Sequence, residues 1–83
     1  MSLSSTGLKQ VFPTNKLPCA LWAGGEDLPG LHRVGIVAEF EEGYFIVGFS
    51  NPKNPDEAMF VRAEPSDLTR LGDFMDAATA FGL

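Results

Sequence analysis

The stretch Leu31-His32-Arg33-Val34-Gly35-Ile36-Val37-Ala38-Glu39-Phe40-Glu41-Glu42-Gly43-Tyr44-Phe45-Ile46-Val47-Gly48-Phe49-Ser50 decides the fold. In its first half Val34, Ile36, Ala38 and Phe40 alternate with Arg33, Gly35, Val37 and Glu39, the period of two that marks a half-buried strand. Glu41-Glu42-Gly43 supplies a turn, and Tyr44 to Phe49 a second strand. A two-residue loop at Glu42-Gly43 sets Phe40 opposite Phe45, Ala38 opposite Val47 and Ile36 opposite Phe49, all on one face. A three-residue loop would set Phe40 opposite Tyr44 and Ile36 opposite Gly48, a thinner core face, so the first register is expected. The second strand also carries Tyr44 and Ile46 on its other face, and a strand apolar on both faces is normally covered on both. The C-terminal segment or another subunit must provide that cover.

Outward from the hairpin, Pro13, Pro18, Pro29, Pro52, Pro55 and Pro65 leave room only for short elements. Before it, Cys19 to Ala23 reads as a short strand, ended by Gly24-Gly25 and followed by a polar loop from Gly25 to Gly30. After it, Asn51 to Glu57 has two Asn-Pro steps and no apolar residue, which predicts an exposed loop. Ala58 to Ala63 is a further strand, with Met59, Val61 and Ala63 on one face and Phe60 and Arg62 on the other. Pro65-Ser66-Asp67 opens a helical pattern in which Leu68, Leu71, Phe74, Met75, Ala78 and Phe81 fall within about 140° of the helical wheel. Gly72-Asp73 divides it into one turn over Ser66 to Leu71 and a helix from Asp73 to Phe81, with Asp73 as the cap. Residues 1–10 are expected to be a disordered lead, and residues 11–83 a single domain.

The chain has 83 residues, 45% of them apolar, and one Cys and one His. A chain of this size buries only about 60% of its unfolded surface. Small folds usually add disulfides, a metal or a partner chain, and one Cys with one His provides neither of the first two. Self-association is the remaining route. The net charge of −5 argues against nucleic acid, whose affinity comes from Lys and Arg displacing counterions. No run approaches the roughly 18 apolar residues of a membrane helix, and the N-terminus lacks a signal-peptide pattern, so a cytoplasmic setting is expected.

Candidate chemistry is sparse. Cys19 and His32 offer a thiol and a base, but no nucleophile elbow and no orienting carboxylate accompany them. The Cys19 side chain reads as a small buried hydrophobe, and His32 as solvent-facing. Glu39, Glu41 and Glu42, with Glu26, Asp27, Asp56 and Glu57, fit no calcium-loop spacing and read as solvated turns and edge protection. Gly24-Gly25 and Gly43 to Gly48 lack the pattern of phosphate loops. No cofactor and no catalytic role are expected. Trp22, Tyr44, Phe12 and Phe60 could stack bases or clamp a peptide, yet the six bases are scattered singly and form no basic groove. The interface candidates are Trp22, Tyr44, Ile46, Phe60, Phe74 and Phe81. A protein or peptide partner meeting Trp22 and the acidic loops would be basic, with Glu41 and Glu42 steering its approach.

The glycine-led strand Gly35-Ile36-Val37, the step Glu42-Gly43-Tyr44 and the Ser66-to-Leu71 turn resemble small SH3-like barrels. The fold expected is therefore mainly β, an antiparallel barrel of about five short strands with a C-terminal helical turn and helix. An α+β sheet with one helix packed on it is the alternative. Within that class the chain is similar to the plasmid-borne type II dihydrofolate reductases, through Val11-Phe12-Pro13-Thr14-Asn15 and Glu42-Gly43-Tyr44. Those enzymes are homotetramers whose pore binds folate and NADPH through a Val-Gln-Ile-Tyr strand and a lysine. Met59-Phe60-Val61-Arg62 stands at that strand, and Ala20 to Ala23 carries no lysine, so no catalytic residue carries over. The resemblance implies the barrel and a habit of oligomerising. The function expected is a small acidic binding or assembly module acting through self-association or a protein partner. A small-molecule-binding or enzymatic pore is the alternative.

Overall fold

The computed structural model describes residues 7–82. In chain order the elements are β1 (Leu8–Val11), β2 (Leu17–Ala23), β3 (Leu31–Phe40), β4 (Phe45–Asn51), β5 (Asn54–Ala63), a 3₁₀ turn (Pro65–Asp67), β6 (Leu68–Met75) and α1 (Ala77–Phe81). The strands form one antiparallel sheet in the order β5-β4-β3-β2-β6, with β1 added to β3. The protein is mainly β, but the sheet is not closed: its outermost strands, β5 and β6, share no ladder, so the expected barrel is an open sheet of six strands. The sheet nevertheless curls strongly, since Arg70 on β6 lies 5.8 Å from the ring of Phe45 on β4.

β3 organises the sheet. Its first half pairs with β2, from Leu31↔Ala23 to Gly35↔Cys19, and its last residues with β1, from Ala38↔Val11 to Phe40↔Leu8. The strand β1 thus takes up Leu8 to Gln10 of the expected lead, whose residues 1–6 lie outside the described ones. Between the two halves the β3–β4 ladder shifts, with Ile36 opposite Val47 but Ala38 opposite Ile46. Val37 is the extra residue of this bulge, and its carbonyl accepts from Phe12 N–H at 2.9 Å.

The bulge and the turn together correct the expected register. The loop is Glu41-Glu42-Gly43: Gly43 N–H donates to Phe40 C=O at 2.9 Å, and Phe40 N–H to Tyr44 C=O at 3.0 Å. Gly43 sits at φ +100°, where glycine is at ease, whereas the two-residue loop would have demanded a positive φ of Glu42 as well. Ala38 and Phe40, expected on the core side, therefore share a face with Ile46 and Tyr44, and the Phe40 and Tyr44 rings stack 4.6 Å apart. Below the bulge the expected face is kept.

That face carries the core: Ala20, Trp22, Val34, Ile36, Val47, Phe49 and Ala63 are buried, with Phe12, Leu28, Phe45, Met59, Val61 and Leu68 packed around them. Two other segments depart from expectation. Asn51 to Glu57 is not a loop, because β4 runs to Asn51 and β5 starts at Asn54; Asn51 Oδ1 accepts from Lys53 N–H at 3.0 Å and closes the tight turn between them. The expected helix from Asp73 to Phe81 is shortened to its last five residues, since Leu68–Met75 pairs with β2 as strand β6. A helix there would have left β2 without a ladder on that side, and the bonds β2 offers outweigh a weak helical periodicity. Only Ala77–Phe81 is helical, and Asp76 rather than Asp73 caps it, accepting from Thr79 N–H at 2.8 Å.

Candidate functional site

Opposite the core, the outer face of β3 and β4 is flattened where Gly35 and Gly48 stand directly across from each other. The helix α1 lies on this flat spot. A side-chain carbon at Gly35 would press on Ala80 and Leu17 at 3.2 Å, and one at Gly48 would collide with the Phe81 ring and approach Phe60 to 2.9 Å. The Phe81 ring meets Phe60 edge-on, with centroids 5.1 Å apart. Beside them, Tyr44 is held between Phe40 and the Arg62 guanidinium, which sits 3.9 Å from the ring centroid. Arg62 also donates to Glu64 at 2.9 Å, and this bond raises its pKa above the ordinary arginine value. Tyr44 just before β4, Ile46 on β4, Phe60 on the outermost strand β5 and Phe81 on α1 thus form one apolar strip. Helix α1 covers part of it, and Phe60 keeps 55% of its surface exposed.

The other two interface candidates lie elsewhere. Phe74 is exposed on β6, with the Lys16 ammonium 4.9 Å from its ring centroid. Trp22 is buried on the core face, 5.5 Å from Phe49 and 5.8 Å from His32 between ring centroids. One edge of it lines a cleft of about 210 Å³ between β5 and the Gly24–Gly30 loop, shared with Leu28, Met59, Val61, Glu26 and Asp27. His32 is half-buried rather than solvent-facing: Nε2–H donates to the Leu28 carbonyl at 3.0 Å, which ties this loop to the aromatic cluster.

The thiol and imidazole do not meet as a catalytic pair. Cys19 is fully buried, and its Sγ accepts from Arg33 Nη2 at 3.6 Å while His32 turns to Leu28. The same Nη2 donates to Asp73 at 2.8 Å. The contact with Cys19 first, and then the charge of Asp73, raise the Arg33 pKa above its ordinary value. A broader cleft of about 500 Å³ opens beside α1, lined by Arg33, Ser50, Met75, Thr79 and Leu31 among others. Its one cation is Arg33, already paired with Asp73. Among the described residues no group of three or more His, Cys, Asp or Glu is placed to hold a metal, and no helix is long and apolar enough to cross a membrane.

Several residues that shape these surfaces carried no legible signal. Gly35 and Gly48 are interruptions in alternating strands until the register sets them opposite each other. A joint role for Trp22 and the acidic loops is expected from the sequence, but that the acids beside it are Glu26 and Asp27 depends on how their loop folds back. No protein-family model, curated protein or solved structure matches this chain.

Proposed function

We propose that this chain is a small assembly module with no catalytic step, which associates with a second copy of itself through the Tyr44, Ile46, Phe60 and Phe81 strip. The reading includes an SH3-like arrangement, supported by the strand order and by the 3₁₀ turn between β5 and β6. It also includes a cytoplasmic setting, supported by the single cysteine. The observation that carries the proposal is the exposed Phe60, seated on Phe81 in an outermost strand of a chain with little core.

A second copy suits this face because its rim has both signs of charge. Arg62 lies beside Glu64 on the strip's own strand and turn, and Asp56 stands further along β5. Two such rims can meet about a twofold axis with opposite charges facing, despite the net charge of −5. Sedimentation equilibrium at micromolar concentration should return a multiple of the 9.0 kDa chain mass. The variant Phe60→Lys should return the monomer with an unchanged circular dichroism spectrum. A wild-type monomer under these conditions overturns the reading.

A further inference from the structure

We infer that the cleft over Trp22 docks an extended basic segment of another protein, with an apolar side chain seated on Trp22, Met59 and Val61 and a lysine or arginine held by Glu26 and Asp27. The site lies on the core side of β5, away from the Phe60 strip, so it stands or falls independently of self-association.

The acidic lip is held in place. Gly24 N–H donates to Gly30 C=O at 2.8 Å and closes the base of the loop. Inside it, His32 holds the Leu28 carbonyl, and the Leu28 side chain packs against the core. Glu26 and Asp27 are therefore exposed on a loop anchored at three points, and an arriving cation has little ordering entropy to overcome there.

Their charge is also unclaimed. Among the described residues the ion pairs are Lys9 with Glu39, Arg33 with Asp73, and Arg62 with Glu64; Glu26 and Asp27 have no basic partner. Two free carboxylates beside an apolar floor ask for a ligand with a cation at one end and hydrocarbon at the other. At about 210 Å³ the cleft is smaller than the roughly 300 to 1,000 Å³ of small-molecule sites, and it suits one or two side chains. A hard cation such as calcium needs about six to eight oxygens, which two carboxylates do not supply. Nucleic acids and anionic membrane surfaces have the wrong sign. A basic peptide segment meets every one of these conditions.

Trp22 is the only tryptophan in the chain, so its emission reports on this cleft directly. Titration with acetyl-Arg-Leu-Arg-Leu-Arg-amide at about 50 mM salt should change that emission saturably, and the Glu-Leu counterpart should not. Raising the salt to about 300 mM, or introducing Glu26→Lys with Asp27→Lys, should each weaken binding about tenfold. Glu41 and Glu42, expected from the sequence to steer such a partner, instead lie in the turn at the opposite end of β3 from Trp22, so Glu41→Lys with Glu42→Lys changes the net charge equally and should leave the affinity within about twofold. Equal weakening by both pairs would show attraction to overall charge and would remove the site. Absence of any saturable change in the wild type overturns it without reference to variants. An emission change on raising the protein concentration alone would make the occupant a second copy and overturn the assignment to another protein.

Discussion

A methyl group at Gly24 would collide with the Leu28 carbonyl and crowd His32 Nε2 at 3.1 Å. The obstacle is backbone that His32 itself holds, so it cannot swing away as the end of a flexible side chain could. Gly24→Ala should therefore cost about 1 to 3 kcal/mol and shift Trp22 emission to the red as the loop lifts from the cluster. Thermal unfolding and fluorescence would measure both, and an unchanged melting temperature would show that the loop is not pinned. At Gly48 the obstacle is the Phe81 ring, which can move, so a methyl there should loosen α1 before it disturbs the sheet. His32 carries the clearest lesson at this scale. A lone histidine at a loop-strand junction reads as exposed, but the rings of Trp22 and Phe49 and the Leu28 carbonyl turn it into a clamp, and only the fold supplies those neighbours.

At the scale of elements, local patterns set which segments of the hairpin become strands more firmly than where strands end or how they pair. The alternation from Val34 to Phe40 does form a strand, yet the extra residue at Val37 turns Ala38 and Phe40 to the outer face. Gly72 and the stripe from Leu68 to Phe81 fit a broken helix by periodicity, and β6 forms instead because β2 offers a ladder on its open side. Only the last turn is helical, and there Asp76 does the capping. Its carboxylate accepts from Thr79 N–H, which lowers its pKa below the ordinary aspartate value. A group whose folded pKa is depressed stabilises the folded state fully above its unfolded pKa, and that contribution is lost as pH falls through the folded one. The amides of α1 should thus lose exchange protection on acidification into the carboxylate range. Asp76→Asn, which keeps an acceptor oxygen but does not titrate, should flatten that dependence; an identical acid profile in the variant would assign the loss to other groups.

For the whole molecule, the open sheet leaves β5 and β6 as edges, and the acids and Pro55 along the first half of β5 discourage indiscriminate pairing there. The apolar strip beside that edge is what the short core leaves over. If two copies bury it, unfolding is linked to dissociation, and the melting temperature should rise by several degrees over an about hundredfold increase in protein concentration. A flat dependence, read by calorimetry, would count against association. The acids include Glu39, Glu64 and Asp73 in ion pairs, Asp76 at its cap, Asp56 and Glu57 on the edge strand β5, and Glu26 with Asp27 over Trp22. The sequence alone determined the mainly β class, the two strands of the hairpin and the core side of β5, because glycine turns and two-residue alternation act through short-range sterics and burial. Only the tertiary structure decided the Val37 bulge, the strand at Leu68–Met75, the open sheet and the meeting of Trp22 with its acidic loop. Each of these depends on which distant backbone groups complete a ladder, and that choice is made between segments far apart in the chain.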